Sequence, residues 1–295
     1  MASLAAQRPI RPKARDAAAP GAKARRLRSL VLPREHGAWG ILLVPLVTGA
    51  AAGLAAGRGL LPLLLFSLAA LALFCLRVPA EVLLETTPQR AQGLAERQGV
   101  ISFLCFYASV AAVALLLLFW KEHAWGLLWL GAAAAVAFGT QAALRKLGRD
   151  TRMVSQLVGA IGLTSTAAGA YYVATGQLGT RALVLWAANW LFAANQIHYV
   201  QLRIRAARAA GRVEKFARGW AFLLSEAATV VLLTLAWRFA LLPGWAILAF
   251  APVLLRGVAW FLGAPAPLQV HRLGKSELAY AIAFGILLIL GLRVG

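Results

Sequence analysis

The sequence predicts an all-α fold, a polytopic membrane helix bundle of about nine transmembrane helices with its N-terminus inside and its C-terminus outside. Three observations carry this. Hydrophobic residues make up 61% of the chain and charged residues 14%, against about 25% charged in soluble domains. Apolar runs long enough to cross a bilayer, about 20 residues each, recur from residue 37 almost to the end. Lys and Arg gather in alternate connections between those runs, which is the charge pattern of topology.

The chain begins with a basic, Ala/Pro-rich stretch, residues 1–30, whose one acid is Asp16. It reads as a disordered tail, either a transit peptide or a cytoplasmic tail held near anionic lipid by its charge. Residues 31–295 read as a single transmembrane domain. Its runs lie near 37–56, 60–79, 100–119, 124–143, 155–175, 180–200, 219–240, 242–261 and 276–293. Pro243-Gly244 separates the seventh run from the eighth, and Pro45 and Pro252 are kink sites inside runs.

Counting Lys and Arg on each side of nine spans gives 25 on the side of the N-terminus and five on the other. The positive-inside rule then fixes the N-terminus in the cytoplasm, and a bacterial inner membrane is the expected location. Trp120, Trp125, Trp129, Trp237 and Trp245 fall near the opposite edge, as an interfacial aromatic belt would. The net charge of +20 resides in these loops and in the tail. It therefore speaks for membrane topology and against a nucleic-acid partner. Cys75 and Cys105 lie in apolar runs and read as packing residues.

Chemistry, if present, belongs on the inner side, where the polar groups collect. The opening Arg34-Glu35-His36 puts three ionisable groups at the entry of the first span. They serve either as a headgroup anchor or as part of a cytoplasm-facing site. After the second span, Glu81 and Glu85 are four apart and would share a helix face. Such a pair can hold a hard cation such as Mg²⁺, with waters and a phosphate completing the shell. The competing reading is an Arg77–Glu81 ion pair with Glu85 in water. The sixth span ends in the densest polar face of any span: Asn189, Asn195, Gln196, His198, Tyr199, Arg203 and Arg205. Polar groups are costly in lipid, so this face should point into the bundle, as interhelical glue or as a site. His198 is a candidate proton carrier. Arg203, Arg205 and Arg208 could grip phosphate or serve only the charge rule. Glu226, two turns into the seventh span, needs an inward Arg or a proton. Lys275 and Glu277 precede the ninth span and could complete the inner rim. No P-loop, dinucleotide-binding glycine pattern, zinc spacing or serine elbow occurs.

These motifs carry two resemblances. Leu32-Pro-Arg-Glu-His-Gly-Ala-Trp39, together with Asn195…His198-Tyr-Val200…Arg203-Ile-Arg205 and Leu273-Gly-Lys-Ser-Glu277, resembles the YwiC-like family of bacterial membrane proteins, a family without a defined activity. The plan of spans is also similar to UbiA-type prenyltransferases, whose nine helices carry Asp-rich motifs that hold Mg²⁺ and a prenyl diphosphate. Glu81 and Glu85 take the place of the first such motif, and Pro88-Gln-Arg90 resembles the Pro-x-Arg on its C-terminal side. Arg203, Arg205 and Arg208 stand where the second motif would have aspartates.

The resemblances imply a cytoplasm-facing polar cavity that binds, and in one version transforms, an isoprenoid diphosphate or another anionic lipid. In that reading Glu81, Glu85 and His198 are the catalytic candidates, with Mg²⁺ on Glu81 and Glu85. Arg34, His36, Asn195, Tyr199, Arg203, Arg205, Lys275 and Glu277 would bind the substrate. The alternative is a permease or a membrane assembly factor without catalysis. A polar path continuing toward the outer side would favour the permease, and the lack of an internal repeat counts against it.

Overall fold

The computed structural model describes residues 22–33, 36–54, 59–86, 89–148, 151–208, 211–264 and 268–294. Among them there is no strand. The helices are α1 (Ala22–Val31), α2 (His36–Gly53), α3 (Leu61–Leu83), α4 (Leu94–Glu122), α5 (Gly126–Lys146), α6 (Arg152–Thr175), α7 (Thr180–Arg205), α8 (Arg212–Arg238), α9 (Gly244–Ile247), α10 (Ala251–Leu262) and α11 (Val270–Val294). Each expected apolar run coincides with one of these helices or with the α9–α10 segment.

Among the described residues, seven segments are long and apolar enough to cross a membrane: α3, α4, α5, α6, α8, residues 244–262 and α11. The apolar part of α2, Gly37–Gly53, is shorter. α7 has the length, at 26 residues, and carries the dense polar face. Large apolar side chains cover the outside of these helices, among them Leu64, Leu116, Trp129, Leu232, Leu255 and Ile286. A surface this apolar is stable only against lipid or protein, so this is a multi-pass membrane protein.

The chain divides into two compact units. One comprises residues 1–34 and 74–107, the other residues 35–73 and 108–295. In the first, α1 corrects the expectation of a tail that is disordered through residue 30. Arg25, Arg26 and Arg28 alternate with Leu27, Leu30 and Val31, which gives the segment a basic face and an apolar one. Leu30 and Val31 are buried against Val82 and Val100, with Leu27 and Leu83 beside them. Arg26 pairs with Glu96 at 2.7 Å. The tail before residue 22 lies outside the described residues.

The end of α3 is a second correction. Helix stops at Leu83, where Thr86 N–H donates to Glu81 O (3.0 Å) and Glu85 N–H to Val82 O (3.3 Å). Glu85 has φ +53°. These bonds and that left-handed residue make a Schellman motif, the common way to satisfy the last carbonyls of a helix. The four-residue spacing of Glu81 and Glu85 therefore does not place them on one helix face.

In the second unit α6 is central, 78% of its spanning window being buried against 17% for α4. α2, α5 and α7 pack around α6, and α11 packs on α2, α9 and the turn after α9. Small residues permit the closest of these approaches: a Cβ on Gly49 of α2 would sit 2.1 Å from the Ala167 carbonyl oxygen of α6.

The eighth run is not one helix. After the break at Pro243-Gly244, α9 gives way to a 3₁₀ turn, Leu248–Phe250, before α10 begins with Pro252 in its first turn. Proline lacks an N–H and fits a helix start, so the kink expected at Pro252 takes the form of this interruption. Pro45, by contrast, sits within a continuous α2.

Candidate functional site

Four polar side chains of the second unit meet in one place, built by α7, α8, α10 and α11. Arg256 of α10 donates from Nη1 to both carboxylate oxygens of Glu277 on α11. Its Nη2 donates to Asn195 Oδ1 of α7 at 2.9 Å. Asn195 Nδ2 in turn donates to Glu226 Oε1 of α8 at 2.6 Å. Gln196 Nε2 donates to the Glu277 backbone carbonyl at 2.7 Å. Four helices are thus tied by one chain of hydrogen bonds, Glu226–Asn195–Arg256–Glu277.

The network is enclosed. The side chains of Arg256 and Glu277 are 5% and 10% exposed. The Tyr199 ring lies 3.9 Å from the guanidinium carbon and the Tyr280 ring 4.9 Å from it, so the cation has two π faces as well as a carboxylate. Gly257, next to Arg256, leaves room for Glu226: a Cβ there would come 3.1 Å from the Glu226 carboxyl carbon. At 1.5 Å per residue, Asn195 stands about 15 Å from the end of α7 at Arg205, and Glu277 about 10 Å from the start of α11. Charges enclosed among helices in this way are costly unless they are paired.

Toward the other end of the same helices the cluster is closed by aromatic rings. Phe192 of α7 and Phe284 of α11 stack with centroids 4.0 Å apart, and Phe250, from the 3₁₀ turn, meets Phe284 edge-on at 5.1 Å. One turn before Phe192 on α7, Asn189 Nδ2 donates to Thr48 Oγ1 of α2 (3.1 Å). Polar pairing on α7 therefore resumes past the rings.

Of the candidates read from sequence, the structure brings together Asn195, Tyr199 and Glu277. His198 is half-buried with its ring edge against Phe222. Arg203 reaches back to the Tyr199 hydroxyl at 3.4 Å. Arg205 is exposed and lies 3.6 Å from the Met153 sulfur. Lys275 is exposed at the start of α11. Arg34, and the side chains of His36 and Arg208, lie outside the described residues.

Glu81 and Glu85 belong to the first unit and are paired separately, Glu81 with Arg77 at 2.8 Å and Glu85 with Arg90 at 3.6 Å. Glu81 takes the ion-pair arrangement, and the turn at Glu85 separates the two carboxylates.

Two residues of the network lie outside the set of site residues read from sequence. The loop count places Arg256 among the inner charges, whereas it lies inside α10, six residues before its end. A signal for it is present: a lone arginine in Val253-Leu-Leu-Arg256-Gly-Val-Ala, with apolar residues on both sides. Glu226 is expected to have an inward Arg or a proton; Arg256 is near it, joined through Asn195. Lys215 falls among the loop charges too. It is buried, donates to the carbonyls of Trp260 and Gly263 (2.7 Å for Gly263), and lies over the Trp260 ring. It thereby ties the start of α8 to the end of α10.

Residues 32–171 match the family model of the YwiC-like protein. The match begins at the Leu32–Trp39 motif and ends within α6. The YwiC-like region thus supplies α2 to α6, and the charged network lies in the helices after it. No curated protein matches the chain.

Proposed function

We propose that this protein is a permease of the bacterial inner membrane, crossing it nine times with the N-terminus inside and the C-terminus outside, and that the Glu226–Asn195–Arg256–Glu277 network is its transport centre. The observation that carries this reading is the position of the network on an interrupted helix. Arg256 follows the 3₁₀ turn that separates α9 from α10, and broken spans with polar groups near the bilayer interior are the way transporters build binding sites. A mid-span 3₁₀ stretch also suits a hinge. Polar pairing beyond the Phe192–Phe284 layer supports a path that continues outward when the rings part.

The topology reading adds α2 and α7 to the seven long apolar segments. A short α2 next to small-residue contacts, and an α7 whose polar groups face protein, both fit spans inside a bundle. The basic face of α1 suits the anionic inner leaflet.

A second reading, binding of an anionic lipid such as an isoprenoid diphosphate, keeps one supporting observation. Arg203 and Arg205 stand at the end of α7 where headgroups would lie. The interior network favours it less, because Glu277 already neutralises Arg256.

The test is access. With Cys75 and Cys105 replaced by serine, a single Tyr280→Cys variant in membrane vesicles is exposed to an impermeant maleimide from each side in turn. Labelling from both sides supports the permease. Labelling from the inner side alone overturns it and leaves a lipid pocket. Reporter tags at residues 1 and 295 check the orientation in the same vesicles.

A further inference from the structure

Arg256 serves two carboxylates unequally. Glu277 takes its Nη1 with both oxygens, and Asn195 takes its Nη2. Its Nε is enclosed and has no hydrogen-bond partner. Among the described residues Glu226 is bonded by the Asn195 amide and by no cation. The groups facing Glu226 are Asn195 from α7, with His198 on the far side of Phe222, Arg256 from α10, and Glu277 behind Arg256 from α11. Among the described residues Arg256 is the one cation bonded to either of these two acids, and Arg203, bonded to Tyr199, acts on Glu277 from the end of α7. With both acids ionised the network carries a net negative charge in a low-dielectric interior, and with one protonated it is neutral.

We infer that Glu226 is a proton-binding site whose occupancy decides how Arg256 is shared. In the present arrangement Glu226 holds the proton, and Asn195 donates to its carbonyl oxygen. When the proton leaves to water, the new carboxylate competes with Glu277 for Arg256, whose empty Nε–H is the donor available to it. Arg256 lies on α10 directly after the 3₁₀ turn and Phe250, so a shift of its side chain bears on the segment that supports the Phe192–Phe284 layer. The proton is taken up and released as such, and no covalent bond other than the O–H of Glu226 forms or breaks. This rests on the permease reading only for its purpose, as the coupling ion of transport. The proton site itself stands on the geometry.

The experiment is infrared difference spectroscopy of the full-length protein in liposomes, stepped between acid and alkaline pH in water and in deuterium oxide. A protonated-carboxyl stretch that appears on acidification and shifts in deuterium oxide is expected. It should vanish in Glu226→Gln and persist in Glu96→Gln, whose carboxylate lies on α4 in the other unit. Glu226→Asp guards against misfolding of the Gln variant, since the band should then move instead of disappearing. A band unchanged in both Glu226 variants overturns the inference. Proton flux in the same liposomes separates the two ideas. Titration of Glu226 without flux removes the permease and keeps the proton site, and flux that survives Glu226→Gln keeps the permease and removes Glu226 as its coupling group.

Discussion

Glu226 and Arg256 do not touch; Asn195 joins them, donating to the carboxyl group at 2.6 Å and accepting from the guanidinium at 2.9 Å. An amide can do both because its nitrogen only donates and its oxygen only accepts. Asn195→Ala should leave one charged donor and one carboxyl oxygen short of partners in the bundle. The expected cost is about 3 kcal/mol, from roughly 1–3 for each unsatisfied buried group. Thermal unfolding in detergent, followed by loss of the monodisperse peak, measures it. Asn195→Asp should be worse, since it places a third acid beside the pair.

The Arg256–Glu277 pair separates stability from function. Glu277→Ala strands a buried guanidinium, and breaking such pairs costs about 3–5 kcal/mol. Replacing both partners by apolar residues of similar volume, Arg256→Met with Glu277→Leu, removes both desolvation costs and should return stability to near the parent value. Two-sided labelling at Tyr280→Cys should not return with it. A double variant that is stable and still labels from both sides would show that the pair is only a structural tie.

The turn at Glu85 makes a prediction outside the membrane interior. Its φ of +53° is the left-handed conformation that non-glycine residues adopt at a cost of about 1–2 kcal/mol. Glu85→Gly removes that cost and adds some unfolded-chain entropy, so a net gain of about 0.5 kcal/mol is expected. The weak 3.6 Å contact to Arg90 is exposed and contributes little against this. A raised midpoint of thermal unfolding checks it, whereas loss of a metal-dependent shift would revive the paired-carboxylate reading.

Much of the fold is legible in the sequence because lipid imposes a single strong rule. Backbone polar groups must be satisfied within a helix, so runs of about 20 apolar residues become helices. The break at Pro243-Gly244 is readable for the same local reason. The site is half legible. Asn195, Tyr199 and Glu277 announce themselves as polar groups at helical spacing, but Arg256 carries the charge that a loop count expects and is absorbed by that count. Whether a lone arginine ends a span or lies inside it depends on a partner 21 residues away, which local pattern does not display. Glu81 and Glu85 mislead differently: spacing on a face has meaning only while the helix continues, and a Schellman turn made by backbone bonds ends it at Leu83.

Helix contact at Gly49 gives the last test. The atom that an added Cβ would strike is the Ala167 carbonyl oxygen, at 2.1 Å, with the Ala167 Cα and C both at 2.8 Å. These are backbone atoms of the central helix α6, and no rotamer change can move them aside. Gly49→Ala should therefore force α2 away from α6 and cost about 1–3 kcal/mol or more. Ala167→Gly should not rescue it, because the clash is with backbone and not with the alanine methyl. Gly37→Ala is the matched control at the other end of α2: nothing lies within 4 Å of its added carbon, and alanine favours helix over glycine by about 1 kcal/mol. Opposite shifts in thermal midpoint for the two variants are expected. Equal shifts, or rescue by Ala167→Gly, would mean that α2 and α6 are not packed backbone to backbone.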